Sequence, residues 1–314
     1  HTMRLNLSFD MLIADVWSFF ILFREWQQLY EQPDVQLPPL NLSFRDYVLM
    51  EQNIRESADY QRSLAYWSER INDLPLAPEL PLAKNPASIG KPQFVRRTSM
   101  LNCDTWDRLK KRAAMAGLTP SSVLCTAYAD VLATWSKTSR FSLNLTLFNR
   151  LPVHPEVNQL VGDFTSVLLL AVNTASGDHF QARAEQLQSQ LWTDLEHRQV
   201  NGVDVLRLMS RQQQEGHPVT MPVVFTSALG IKEMQGIQST ERCWLGERVF
   251  SVSQTPQVWL DHQVMEEEGA LGFSWDVVEE LFPDGVIQDM FDAYCQWITV
   301  LSNNDQAWLD TTGN

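Results

Sequence analysis

Beyond a proline-rich stretch at residues 75–92, strand-like and helix-like runs follow one another repeatedly, and this interleaving constrains the fold more than any other feature of the 314-residue chain. A strand must bury a face and a helix a stripe, so segments ordered this way settle as helices layered on a sheet, an α/β core rather than a bundle or a sandwich. Residues 94–102 predict a strand, 105–116 a helix and 121–135 a buried helix. Strands are then expected at 142–148 and 167–172, and helices at 180–198 and 203–214. Two more runs, 219–225 and 250–259, are rich in β-branched and aromatic residues and predict strands, with Pro256 marking a bulge, kink or edge.

Ahead of the prolines, residues 1–9 read as a strand, and apolar residues recur at helical spacing over 14–30. A polar break at 31–39 ends that helix. Residues 41–46 look like a capped entry into a second helical region, continued at 57–72. Repeated proline blocks helix and favours extended chain. The division is therefore expected there, with 1–90 and 91–314 as the two parts. The run Glu266, Glu267, Glu268 reads as a solvated turn.

A formal net charge of −14 argues against a nucleic-acid or acidic-membrane partner, because neutralising phosphates needs clustered Lys and Arg. No apolar run reaches membrane-spanning length. Cys103, Cys125, Cys243 and Cys295 are scattered, with neither the short paired spacing of a zinc site nor the density of a disulfide scaffold. Reduced thiols and a cytoplasmic location are expected. The six histidines show no metal-ligand spacing, and His154 reads as a turn residue.

The strand-like runs near 219–225 and 250–259 lead into Thr226 and Asp261. A hydroxyl and a carboxylate on rigid supports can orient and transfer a proton, but Thr and Asp are also ordinary strand-end residues. Other blocks change the odds. Asp10-Met-Leu-Ile-Ala-Asp15-Val-Trp-Ser18 is followed, in order, by Leu74 to Leu82, Thr119 to Trp135, Gly162-Asp-Phe-Thr165 with its strand, Pro222-Val-Val-Phe-Thr-Ser227, and Ser253-Gln-Thr-Pro-Gln-Val-Trp259 ahead of Asp261. Six blocks in order, from residue 10 to residue 261, resemble the heterocyclization domains of nonribosomal peptide synthetases, relatives of the amide-forming condensation domains. The resemblance implies a two-lobe fold like chloramphenicol acetyltransferase, arranged as a V with the active site in a channel between the lobes. It covers nearly the whole chain. The family's opening Phe-Pro-Leu block is not found, so the N-terminal part of the first lobe is expected to be absent and to be a partner of this chain.

The family also implies roles. Related condensation domains carry His-His-x-x-x-Asp-Gly where this chain has the Asp10 motif; Asp10 stands at the first His and Met11 at the second. A thioether takes no proton at neutral pH, so acid/base work must lie elsewhere. The resemblance places it on Asp261, with Thr226 orienting the carboxylate or the substrate and Asn149 hydrogen-bonding a reacting oxygen. Asp15 and Arg150 are implied as a buried ion pair joining the lobes, with Ser18 in the same structural motif, and Asp10 either buttresses the channel or binds substrate. Gln254, Gln257, Asp163 and Thr165 are candidates for lining the channel, with a structural turn favoured for Asp163 and Thr165. The reaction implied joins an upstream acyl thioester to a Cys, Ser or Thr thioester and closes a thiazoline or oxazoline, as in siderophore assembly. Substrates would ride on the phosphopantetheine arms of upstream and downstream carrier proteins, and the domain would bind no cofactor or metal of its own. No phosphate-binding loop is visible, so activation falls to an adjacent adenylation domain. Condensation without ring closure, and a catalytically silent carrier-docking platform, remain the alternatives.

Overall fold

The structure, a computed structural model, describes residues 3–175, 177–212, 219–231 and 244–310. Cys243 and His217 lie outside them. Contacts divide the chain into two compact units, His1–Arg62 with Leu147–Ser166, and Ser63–Thr146 with Val167–Asn314. These units do not coincide with segments divided at the prolines. Leu74 and Leu80 are buried, the Ser142 N–H donates to the Leu76 carbonyl and the Ala83 N–H to the Leu281 carbonyl, so the proline-rich stretch is packed along the second unit.

The first unit contains α1 (Val16–Glu31) and α2 (Phe44–Ile54). Asp15 caps α1, its side chain accepting from the Ser18 N–H. Ser43 and Asp46 form a reciprocal capping box on α2, satisfying two backbone donors that a helix start leaves open. Leu42, Tyr47, Leu151, Val157, Leu160 and Phe164 make its apolar core. Residues 3–10 form no strand, and Leu5, Leu7 and Phe9 are exposed, so the strand expected there is not formed.

After α3 (Ala58–Arg70), the second unit is built on β1 (Phe94–Leu101), β2 (Arg140–Phe148) up to Thr146, β3 (Thr165–Asn173) from Val167, β4 (Val223–Ser227), β5 (Leu260–Glu267) and β6 (Ala270–Val278). These form one sheet of order β1-β6-β5-β4-β2-β3, in which β2, β4 and β5 run parallel and β6 pairs antiparallel with both β5 and β1. Helices α4 (Cys103–Met115), α5 (Pro120–Trp135), α6 (Phe180–Glu196), α7 (Gly202–Gln212) and α8 (Val286–Asn303) complete it. The α/β expectation holds, and β1, β2, β3 and α4 to α7 fall close to the expected ranges.

Alternation along the strands separates two faces. Leu143, Leu145, Phe225, His262, Phe273 and Trp275 share one, where Tyr128 of α5 and Tyr294 of α8 pack their rings against His262 and Trp275. The other face carries Arg96, Thr146, Thr226, Asp261, Gln263 and Asp276. This row is polar, whereas the first face is largely apolar and aromatic.

Three expectations need correction. Residues 250–259 are not a strand: Pro256 offers no N–H to a ladder, the chain turns at Pro256 and Gln257 with the latter at φ 67°, and pairing begins at Leu260. Asp261 therefore stands at the start of β5 rather than at a strand's end. Glu266 and Glu267 belong to β5; the turn itself is Glu268–Gly269, with φ of 50° and 81°, a two-residue hairpin loop with both residues left-handed. β6 and α8 went unread in the sequence.

Candidate active site

Asp261 is held from four strands. Register sets it opposite Asp276 on β6 and beside Val224 on β4, while Arg96 on β1 faces Asp276 from the far side. Two residues further along, Thr146, Thr226 and Gln263 form a second row. Thr226 Oγ1 lies 3.3 Å from Asp261 Oδ1 and 2.8 Å from Thr146 Oγ1. A hydroxyl has one proton, so it donates to only one of them at a time, and the longer contact is the weaker. Gln263 holds the carboxylate harder: its Nε2 donates to Asp261 Oδ2 at 2.6 Å.

Behind this contact stands an ion pair. Arg96 Nε donates to Asp276 Oδ1 at 2.7 Å, and Arg96 Nη2 reaches Asp276 Oδ2 and the Gln263 side-chain oxygen Oε1, the latter at 3.0 Å. Arg96 Nη1 donates to Ser251 Oγ at 2.7 Å, and the Ser253 N–H donates to Asp276 Oδ2 at 2.9 Å. The fork geometry of the guanidinium compensates a carboxylate whose exposure is 0%.

Asp261 is 8% exposed and has no cation of its own at hydrogen-bond distance among the described residues. Burial pushes its carboxyl up to about 6; the hydrogen bond from Gln263 pulls the other way, Asp276 adds to the rise, and Thr226 and Arg96 oppose it. A carboxyl near 6 gives a proton or takes one at neutral pH, which suits it to both halves of an acid/base cycle.

In the first unit, Arg150 Nη2 lies 2.9 Å from Asp15 Oδ1, with both side chains buried. The same Nη2 donates to Ser18 Oγ at 3.1 Å, and Nη1 donates to the carbonyls of Val157 (2.9 Å) and Leu160 (2.8 Å). The Ser18 hydroxyl lies 2.6 Å from Asp15 Oδ1 and 2.9 Å from the Gly162 carbonyl, and accepts from the Gly162 N–H at 3.1 Å. The guanidinium also lies over the Phe164 ring, 3.9 Å from its centroid. Burial pulls Arg150 below its ordinary pKa, and Asp15 opposes that pull. With every partner inside one compact unit, this cluster ties α1 to the 147–166 segment.

The other expected site residues fall as follows. Asp10 is exposed and its Oδ1 accepts from the Leu12 N–H at 3.0 Å; Met11 is 42% exposed. Asn149 is half-buried in the first unit, its N–H donating to the Phe164 carbonyl (3.0 Å) and its carbonyl accepting from the Tyr47 hydroxyl (3.1 Å). Asp163 Oδ1 accepts from the Thr165 N–H at 2.9 Å, a local turn bond of the structural kind. Gln254 and Gln257 are exposed in the loop ahead of β5. Thr226 and Asp261 are brought together; Gln263, Asp276, Arg96 and Thr146 join them and were not singled out in the sequence. Period-two spacing from Asp261 to Gln263 was the available signal, together with an aspartate inside the alternating apolar run of β6.

Among the described residues no group of three or more His, Cys, Asp or Glu side chains could hold a metal ion, and no helix is long and apolar enough to cross a membrane. Cys103, Cys125 and Cys295 are free thiols.

Known proteins resemble the chain along most of its length. The condensation-domain family model matches residues 2–311. Bacitracin synthase 1 of Bacillus licheniformis is 43% identical over 289 residues, 92% of this chain and 6% of that protein. Phenyloxazoline synthase MbtB of Mycolicibacterium paratuberculosis is 38% identical over 307 residues, 97% of this chain and 26% of that protein. The cyclization-docking bidomain of EpoB from Sorangium cellulosum superposes with a TM-score of 0.85 at 39% identity, covering 96% of this chain and 60% of that one. The chain thus spans only a fraction of these curated relatives. It belongs to the condensation-domain family of nonribosomal peptide synthetases, in its heterocyclization branch.

Proposed function

We propose that this domain joins an upstream acyl thioester to the amine of a Cys, Ser or Thr thioester, both carried on the phosphopantetheine arms of carrier proteins, and then closes the side chain onto the new amide as a thiazoline or oxazoline. The observation that carries the reading is the Asp261 carboxyl, pushed up to about 6 and within reach of the Thr226 hydroxyl. At pH 7 a group of that pKa is ionised about ten to one, so it begins as a base. It takes the proton of the attacking thiol or hydroxyl and passes one to the former carbonyl oxygen. As the ring nitrogen gives up its hydrogen, that oxygen leaves as water, and one proton enters and leaves the carboxylate in each half of the cycle. Asn149 is assigned the hydrogen bond to the reacting oxygen, Thr226 the orientation of Asp261 or of the substrate, and Asp10 an architectural role. An adjacent adenylation domain would supply the activated residue. The likeness to a relative named as a phenyloxazoline synthase, and to one solved as a cyclization domain, supports ring formation over condensation alone.

The test is product mass with charged carrier proteins in the domain's synthetase context. Asp261→Asn should accumulate the uncyclized amide, as general acid/base groups contribute about 10²–10⁴-fold, and Thr226→Ala should do so more mildly. Unchanged ring formation in Asp261→Asn would remove this residue from the mechanism.

A further inference from the structure

Asp261 has two oxygens, and their surroundings differ. Oδ1 lies beside the Thr226 hydroxyl, whereas Oδ2 takes the 2.6 Å bond from Gln263. The orientation of the Gln263 amide is forced by chemistry. A guanidinium only donates, so the group 3.0 Å from Arg96 Nη2 must be the carbonyl oxygen, which leaves the NH₂ facing the carboxylate. Arg96 in turn is fixed on Asp276 and Ser251, and Asp276 is fixed by the Ser253 N–H. The amide is thus clamped between a cation and an anion and cannot turn over without breaking both contacts.

We propose that Gln263 is a positioning residue for ring closure: clamped by Arg96, it occupies Oδ2 of Asp261 and so confines the travelling proton to Oδ1, the oxygen beside Thr226. A proton on Oδ2 would meet the Gln263 N–H head on; a proton on Oδ1 meets a hydroxyl able to accept it. This inference rests on the ring-closing function proposed above. It gives that function a direction, because substrate must then approach Asp261 from the Thr226 side of the row. The groups facing Asp261 are Gln263 on its own strand, Asp276 on β6, Arg96 on β1, Thr226 on β4 and Thr146 behind Thr226 on β2. From α5 on the opposite face, Tyr128 feels the Asp261 charge.

Gln263→Leu removes the donor that favours the ionised carboxyl and frees both oxygens, and Gln263→Glu keeps the shape but donates only when protonated. Amide and heterocycle are quantified by intact mass across pH 5–9, with carrier proteins charged with an acyl group and with cysteine. For Gln263→Leu the ratio of heterocycle to amide should fall about 10–100-fold, and the acid limb of ring closure should move up by roughly one pH unit. Gln263→Glu should close rings poorly across the whole range, because Asp261 must be ionised to begin while the introduced carboxyl donates to it only when protonated. A merely structural role would lower amide and heterocycle together and leave the limb in place; that result, or a wild-type limb in both variants, overturns the proposal. Asp261→Asn separates the two levels. If it blocks ring closure while both Gln263 variants match wild type, only the role of Gln263 falls. If it closes rings normally, the acid/base function falls and this inference with it. Should Gln263→Leu fail to fold, the near-isosteric Gln263→Glu decides alone.

Discussion

Replacing Asp261 with asparagine should stabilise the protein at neutral and alkaline pH while removing ring closure. The carboxyl rises from its ordinary 3.8 to about 6 in the fold. At about 1.4 kcal/mol per pKa unit, holding it ionised costs the folded state about 3 kcal/mol above pH 6. The folded protein binds this proton more tightly than the unfolded chain does. The favourable contribution is therefore complete below about pH 4 and is lost as pH rises through 6. Asparagine has the same shape, accepts the Gln263 N–H through its oxygen and carries no charge, so a gain of about 1–3 kcal/mol is expected at pH 8. In a unit of this size that is about 2–4 °C of melting temperature per kcal/mol. Behind the sheet, burial pulls His262 down to about 3, the opposite sense. Its contribution is complete above 6.5 and is lost as pH falls, by about 1.4 kcal/mol per pH unit. In the wild type the two slopes oppose each other between about pH 4 and 6; in Asp261→Asn only the histidine slope remains. Thermal melts from pH 4.5 to 8 should show the variant's advantage largest at pH 8 and shrinking through pH 6. A variant less stable than wild type at pH 8, or an advantage that does not change with pH, would refute the account of a strained buried carboxylate.

Two other perturbations test the scaffold. Arg150→Met strands the buried Asp15 carboxylate and removes donors from the Val157 and Leu160 carbonyls, so the first unit should lose roughly 3–5 kcal/mol, seen as a lower melting temperature and faster proteolysis within 147–166. Gly202→Ala would set a Cβ 2.5 Å from the Val167 carbonyl oxygen and 2.9 Å from its carbon, backbone that has no rotamer to give; a loss of about 1–3 kcal/mol is expected, with faster hydrogen exchange in α7 and β3.

Much of the architecture was legible because it is written locally. The capped entry at 41–46, seen as the Ser43 and Asp46 box, and the helix read at 121–135, which Pro120 opens, are each set by a few neighbouring residues. What misled was also local. β-branched and aromatic residues over 250–259 carry strand propensity, yet the proline and the left-handed Gln257 turn the chain there, and tertiary pairing begins only at Leu260. β6 was legible in principle, since Leu271, Phe273, Trp275 and Val277 alternate strictly; its Gly, Ser and Asp, all on the other face, disguise it as a loop.

The candidate site was half legible for a similar reason. Thr226 and Asp261 stand inside contiguous motifs, so their pairing can be inferred from likeness before any coordinates exist. Arg96 and Asp276 are 180 residues apart and meet only because β6 lies between β1 and β5, a strand order that nothing in the chain's local pattern announces. Yet the chemistry of Asp261 depends on them. Its nearest donor is Gln263, and the direction in which Gln263 points is decided by Arg96. Arg96 can lie partly buried there because Asp276 compensates its charge, and Asp276 contributes in turn to the raised Asp261 carboxyl. The acid/base behaviour of the motif aspartate is therefore a property of three neighbouring strands, and the sheet order has to be known before it can be derived.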